Sequence, residues 1–211
     1  MRVIRLLSLA IATAAGLPLA AQPISSPVNL VTNRPLYVTE IKHVGGPGLF
    51  PADFAYVTFG TNKFGFVMPD GFRLETADGQ KVTLVSADFN CLLTFRVLES
   101  LPPGVTELDP APYRDLALSR RRGGRILAEF SQAAVSQRGP AFDLRWNAAG
   151  SVPRRERVVF IPSNAGVLEF GLVSSLEKFE KGRQSFNSFL LTFRTPEADG
   201  RLAMPVMSNR L

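Results

Sequence analysis

Two short arginine-rich segments carry the side chains best suited to binding in this 211-residue chain. They read SRRRGGR and PRRER, and they supply the candidate binding residues Arg120, Arg121, Arg122, Arg125, Arg154 and Arg155. Guanidinium groups bind carboxylates and phosphates through two parallel hydrogen bonds. Clustered arginines therefore indicate a site for an acidic protein, an anionic lipid or a polysaccharide. The alternative is a solvated helix end whose positive charges only oppose the helix dipole.

Catalytic chemistry has few candidates. A nucleophile activated by histidine would have to use His43, the one histidine, which stands beside VGGPG. Cys91, the one cysteine, alternates with Leu93 and Phe95 on a predicted strand, which favours a buried and inert thiol. Zinc sites built from His and Cys need more ligands than these two, and no glycine-rich phosphate loop occurs. We expect a protein that is not an enzyme and has no cofactor or metal. The catalytic arrangement that the sequence leaves open is a pair of carboxylates facing across a cleft.

The first residues have the layout of a secretory signal peptide. Arg2 and Arg5 precede an apolar run at 6–15, and small residues precede a predicted cleavage after Ala21. The run is shorter than the about 20 residues that span a bilayer, which argues against the alternative of an uncleaved anchor. We therefore expect a secreted or periplasmic protein with no transmembrane segment after cleavage. The formal net charge of +6 fits anionic surfaces but does not indicate nucleic-acid binding.

Two runs of predicted strands define the fold class. The first comprises 64–68, 72–76, 81–87 and 91–98, and its Asp70-Gly71 and Asp78-Gly79 pairs are typical of hairpin turns. The second lies within 125–175, where AFDLRW predicts Phe142, Leu144 and Trp146 facing inward and Asp143 and Arg145 facing outward. Each run is followed by a predicted helix. The pattern indicates an α+β fold in which helices flank an antiparallel sheet of two β meanders.

The two helices have recognisable starts. Asp109 is a good N-cap for the first, with Pro110 at the first helical position and an end near Arg122. In SSLEKFEKGRQSFNSFLLTFR, Ser174 and Glu177 form a predicted capping box. Its apolar stripe consists of Leu176, Phe179, Phe186, Phe189, Leu190 and Phe193. We expect this stripe to pack on the sheet; a membrane surface or a partner's groove are the alternatives. With no disulfide possible, stability must come from a core that uses many of the 16 phenylalanines.

The predicted organisation has four parts. They are a signal peptide at 1–21, an N-terminal arm at 22–60, one α+β domain at 61–194 and a loosely ordered tail at 195–211. The arm is rich in Pro and Gly, with a possible short strand at Pro35–Ile41.

Three segments carry a family resemblance. FGFVMPDGFRLE, CLLTFRVLESLPP and VLEFGLVSSLEKFEKGRQSFNSFLLTFR resemble the opening strand, the strand before the first helix, and the closing strand plus last helix of the PsbP-like fold. That fold occurs in the extrinsic PsbP protein of photosystem II and in bacterial envelope proteins such as DcrB; Phe72 stands where tryptophan is more usual. The resemblance covers about residues 64–194 and implies an α/β/α sandwich. It carries over no catalytic or metal-binding residue.

The leading functional hypothesis is a non-enzymatic accessory or adaptor protein of the bacterial cell envelope. It would act through contacts with an unidentified envelope protein or anionic surface. The alternative is a periplasmic protein that binds a small apolar ligand in a cavity between helix and sheet.

Overall fold

A computed structural model describes residues 37–46, 49–78, 81–98, 109–134, 137–149 and 152–195. The predicted signal peptide, the first part of the predicted arm and the tail beyond Thr195 lie outside the described residues. Among the helices of the described residues, none has the length and apolarity that crossing a bilayer requires.

The described residues form ten strands and two helices. The strands are β1 (Tyr37–Gly46), β2 (Leu49–Phe59), β3 (Asn62–Val67), β4 (Phe72–Asp78), β5 (Lys81–Ser86), β6 (Cys91–Leu98), β7 (Arg125–Ala134), β8 (Gln137–Asn147), β9 (Pro153–Ser163) and β10 (Gly166–Ser175). The helices are α1 (Ala111–Ser119) and α2 (Phe179–Thr192).

Seven strands form the large sheet, in the order β4-β5-β6-β10-β9-β8-β7, and all neighbours are antiparallel. One meander runs from β4 to β6 and a second from β7 to β10, and the two join where β6 pairs with β10. The predicted α+β class is therefore confirmed. Strands β1, β2 and β3 form a separate three-stranded sheet.

The Asp70-Gly71 pair does not make the predicted hairpin. Strand β3 before it belongs to the small sheet and β4 after it belongs to the large one. A type I′ turn needs positive φ at both central residues, and of the pair only Gly71 has it, at 74°. Instead, the Pro69 carbonyl accepts a hydrogen bond from the Phe72 amide at 3.0 Å and closes a different turn. In this turn the chain passes from the small sheet to the large one.

Both faces of the large sheet are covered. On one face, α2 and the small sheet enclose a core of aromatic rings. In this core the ring centroid of Phe193 lies 4.7 Å from that of Phe95 and 4.8 Å from that of Phe170. On the other face, Tyr113 and Ala117 of α1 pack on a smaller cluster that includes Phe142. The arrangement differs from the predicted α/β/α sandwich because strands share the α2 face. A 14-residue helix is about 21 Å long, so α2 alone is too small to cover seven strands spaced about 4.8 Å apart.

The small sheet draws the predicted arm into this core. Tyr37, Ala55, Val57 and Phe59 are buried members of the same cluster. The Val97 amide donates a hydrogen bond to the Tyr37 hydroxyl at 2.7 Å. The boundary predicted at residue 61 thus falls between β2 and β3, inside the small sheet.

The apolar stripe of α2 faces the sheet, as predicted, with Phe179, Phe186, Phe189 and Phe193 fully buried. Leu176, predicted as part of the stripe, instead lies in the turn before the helix and is 37% exposed. Gly182 lies on the same stripe, and a Cβ there would come within 2.3 Å of the Cys91 sulfur. Glycine at this position therefore permits the close approach of helix and sheet.

The start of α2 corrects the predicted capping box. Ser174 lies in β10, where it pairs with Cys91 of β6 and Arg155 of β9, and the helix begins at Phe179. Pairing with strands on both sides outweighs the local capping signal. At α1, the Asp109 carboxylate accepts a hydrogen bond from the Ala111 amide at 2.9 Å. The helix nevertheless begins one residue later than predicted, with Pro110 and not Asp109 at the N-cap position, and ends at Ser119 rather than near Arg122.

Candidate functional site

Arg120 and Arg121 are engaged by carboxylates of the sheet. They follow the last turn of α1, where Arg120 pairs with Glu169 and Arg121 forks both oxygens of Glu156. The Arg121 guanidinium also lies 5.2 Å from the Trp146 ring. These two predicted binding residues therefore fasten α1 to the sheet and are not free for an external ligand.

Glu169 is the centre of this cluster. Arg96, on the neighbouring strand β6, donates hydrogen bonds from Nη2 to both carboxylate oxygens of Glu169, at 2.7 and 2.8 Å. Burial nevertheless dominates and raises the pKa of the Glu169 carboxyl to about 6, against the opposing effect of Arg96. Removal from water destabilises the charged form of a carboxylate. The guanidinium groups of Arg96, Arg120 and Arg121 partly offset this effect at Glu169.

A second ion-pair cluster lies under the first turn of α2. Arg157 forks Asp143 at 2.7 and 2.9 Å, and both side chains are buried. Arg155 contacts Asp143 at 3.3 Å and Glu180 at 3.8 Å, with its guanidinium 4.0 Å from the Phe179 ring. Asp143, predicted to face outward, is thus buried, because α2 covers this part of the sheet.

Three arginines stand side by side on the same face, next to that cluster. Arg125 of β7 pairs in register with Arg145 of β8, which pairs in turn with Arg155 of β9. Directly opposed residues of antiparallel strands point to the same face and are close neighbours. We call Arg125, Arg145 and Arg155 the arginine ladder. At a strand spacing of about 4.8 Å, its outer members are about 10 Å apart.

Most of the ladder has no internal counter-charge. Arg125 and Arg145 are exposed, and neither has a carboxylate within 4.0 Å among the described residues. Arg122, exposed in the turn before β7, and Arg154, which pairs in register with Trp146, also have no ion pair in that part of the chain. The arginine-rich end of the sheet therefore presents four guanidinium groups that no described acid neutralises.

The structure sorts the six predicted arginines and adds a seventh. Arg122, Arg125, Arg154 and Arg155 lie at one end of β7, β8 and β9, but Arg154, the register partner of Trp146, points to the face opposite Arg125 and Arg155. Arg120 and Arg121 are paired with internal acids. Sequence reasoning missed Arg145. Its signal was present as an outward-facing residue of the AFDLRW strand, but its place between two other arginines depends on the strand register.

The other candidate residues stand apart. His43 Nδ1 lies 2.9 Å from Asp53 Oδ1 across β1 and β2, and both side chains are exposed. Cys91 is buried as predicted, and desolvation raises the pKa of its thiol to about 11. Among the described residues, no three His, Cys, Asp or Glu side chains gather as metal ligands would.

The chain was compared with known proteins. No protein-family model matches it, and no curated protein matches its sequence. The solution structure of cyanobacterial PsbP, CyanoP from Synechocystis sp. PCC 6803, matches with a TM-score of 0.51 at 15% identity, covering 72% of this chain and 96% of that one. The crystal structure of LpqN, involved in cell envelope biogenesis of Mycobacterium tuberculosis, matches with a TM-score of 0.37 at 14% identity, covering 75% of this chain and 91% of that one. The likeness to CyanoP agrees with the resemblance noted in the sequence, and the chain has a PsbP-like fold.

Proposed function

We propose that this protein is an exported accessory protein of the bacterial cell envelope and that its arginine ladder binds an acidic protein partner there. The observation that carries the proposal is the register that sets Arg125, Arg145 and Arg155 side by side. Like charges directly opposed on neighbouring strands destabilise a sheet by a few tenths of a kcal/mol or more. A row of carboxylates docked on the ladder would relieve that repulsion and form charge-assisted hydrogen bonds.

An apolar neighbour favours a protein over a lipid or polysaccharide. Leu127, two residues after Arg125, is 44% exposed. Arginine beside exposed apolar side chains is typical of protein interfaces. An arginine fork also matches a carboxylate in geometry as well as in charge.

The N-terminal sequence supports the proposed location. The first 21 residues have the charge and apolar pattern of a signal peptide. The PsbP-like fold does not select a function, because one fold hosts many roles. The proposal assigns the protein no catalysis and no cofactor.

Crosslinking in the native host tests the proposal. The full-length chain, tagged at its C-terminus, would be crosslinked and purified from the envelope as wild type, as the double variant Arg125→Ser/Arg145→Ser and as Arg138→Ser. Arg138 is a matched control because it is exposed on the same strand as Arg145, at the opposite end, and has no ion pair within the described residues.

We expect one acidic protein to co-purify with the wild type and with Arg138→Ser, and to be lost from the double variant. Recovery of the same partner with the double variant would contradict the proposal. If the wild type yields no protein but sediments with anionic phospholipid vesicles, and the double variant does not, the ladder binds a membrane surface and the protein-partner proposal fails.

A further inference from the structure

A cavity of 210 Å³ lies between the first turns of α2 and the turn that joins β5 to β6. This site is separate from the arginine ladder. The lining includes Cys91 and Gly182, and the cavity has room for several times the volume of a water molecule. The missing side chain at Gly182 leaves the Cys91 sulfur close to the helix.

The two sides of the cavity carry opposite charge. Asp70 and Asp88 line it from the turns of the sheet, and Lys178 and Lys181 line it from the helix side. Among the described residues, none of these four side chains has an oppositely charged group within 4.0 Å. Two positive and two negative groups therefore line a common space without a direct ion pair between them.

Hydrogen bonds within the turn orient the carboxylate of Asp88. Asp88 Oδ1 accepts hydrogen bonds from the Ser86 hydroxyl at 2.6 Å and from the Asn90 amide at 3.2 Å. These bonds lower the pKa of the Asp88 carboxyl to about 2, so the group stays ionised. Both hydrogen bonds go to Oδ1, and the Asp88 side chain is exposed.

A strained aromatic residue stands at the tip of the same turn. Phe89 has a φ of 56° and is 64% exposed, with the Arg73 guanidinium 4.7 Å from its ring. The left-handed conformation costs a bulky residue about 1–2 kcal/mol and concentrates at functional sites. The turn thus holds an apolar ring in solvent, between the two cavity-lining residues Asp88 and Asn90.

We propose that this cavity binds a small zwitterion of the apolar α-amino acid class. Its carboxylate would lie toward Lys178 and Lys181, and its ammonium group toward Asp70 and Asp88. An ion of one sign would meet like charge on one side of the cavity, whereas a ligand with both signs complements both sides. The apolar side chain would pack on the part of the lining around Cys91.

Three probe molecules with the same branched apolar part test the contribution of each ligand charge separately. Leucine carries both groups, 4-methylpentanoate carries only the carboxylate, and 3-methylbutylamine carries only the ammonium group. Each would be titrated into the isotope-labelled mature chain while the amide resonances of Asn90 and Gly182 are followed by NMR. We expect leucine to bind more tightly than either single-charge probe, with shifts that saturate at these two amides.

Charge-removing variants assign each group. Lys178→Gln/Lys181→Gln should weaken leucine about fivefold, since exposed ion pairs contribute about 0.2–1 kcal/mol each, and should leave 3-methylbutylamine unchanged. Asp70→Asn should weaken leucine and 3-methylbutylamine but not 4-methylpentanoate. Lys63→Gln, an exposed lysine of β3, should change none of the three. Equal affinity for leucine and 4-methylpentanoate, or saturable shifts only at distant amides, would overturn the proposal.

Discussion

Replacing Gly182 by alanine tests how closely α2 lies against the large sheet. The new Cβ would stand 2.3 Å from Cys91 Sγ, closer than real Cβ contacts allow, and 3.0 Å from Leu172 Cδ1, which is tighter than most of them. Relief requires α2 to move outward or these side chains to leave their preferred rotamers. Overpacking of a core by about one methyl group costs about 1–3 kcal/mol.

The sign of the change is diagnostic. In an exposed helix, alanine is about 1 kcal/mol more favourable than glycine. Overpacking should outweigh that gain, so we expect Gly182→Ala to lower the free energy of unfolding by about 1 kcal/mol. Adding Cys91→Ala removes the atom closest to the new methyl group. The double variant should therefore be about 1 kcal/mol more stable than the sum of the two single changes predicts, because residues in contact couple.

Urea unfolding followed by circular dichroism measures all of these values through the midpoint at constant slope. Ser188→Ala is the matched control, since Ser188 is exposed on the same helix and its replacement reports helix propensity alone. If Gly182→Ala is as stable as the wild type or more so, or if the two substitutions are additive, the described contact between α2 and β6 is incorrect.

Three further predictions concern buried groups. Asp143→Ala should lower the free energy of unfolding by about 3–5 kcal/mol, because it leaves the Arg157 charge buried without its partner. As a control in the same urea assay, alanine at exposed Asp115 should lower it by under about 0.5 kcal/mol. The pKa of Glu169 is raised to about 6, so the folded state keeps this proton to a higher pH than the unfolded state does. The free energy of unfolding should therefore fall by about 1 kcal/mol as pH rises from 4.5 to 6. Urea unfolding of Glu169→Gln at both pH values should lose that dependence, and an unchanged pH profile would refute the assignment. At pH 8, iodoacetamide should modify Cys91 in the native protein at least about a hundredfold more slowly than Cys91 in the denatured chain, because burial raises the pKa of the thiol to about 11. Mass spectrometry measures both rates, and equal rates would contradict the burial of Cys91.

Local patterns in the sequence were sufficient for the elements that pack by periodicity. The Phe179, Phe186, Phe189 and Phe193 stripe predicted the buried face of α2, and alternation around Cys91 predicted a buried thiol. Where local signals competed with strand pairing, pairing prevailed. Ser174 is a plausible cap, yet pairing with strands on both sides keeps it in β10.

The charged residues were harder to place because their partners are distant in the chain. Arg121 pairs with an acid 35 residues away and Arg120 with one 49 residues away, and no local pattern marks Glu156 or Glu169 as their counter-charges. The arginine ladder likewise exists only because the registers of β7, β8 and β9 align one residue from each strand. A sequence read by segments identifies the arginines but does not show that Arg145 completes the row.

The most direct test of the central claim, that the arginine ladder is an anion-binding surface, is the melting temperature of the purified chain with tripolyphosphate. At a concentration about ten times the dissociation constant, binding to the folded state contributes about 1.4 kcal/mol, which raises the melting temperature by about 4 °C. The account predicts this rise for the wild type and for Arg138→Ser, its loss in Arg125→Ser/Arg145→Ser, and its decline with added sodium chloride. Equal stabilisation of all three proteins, or none in the wild type, would contradict it.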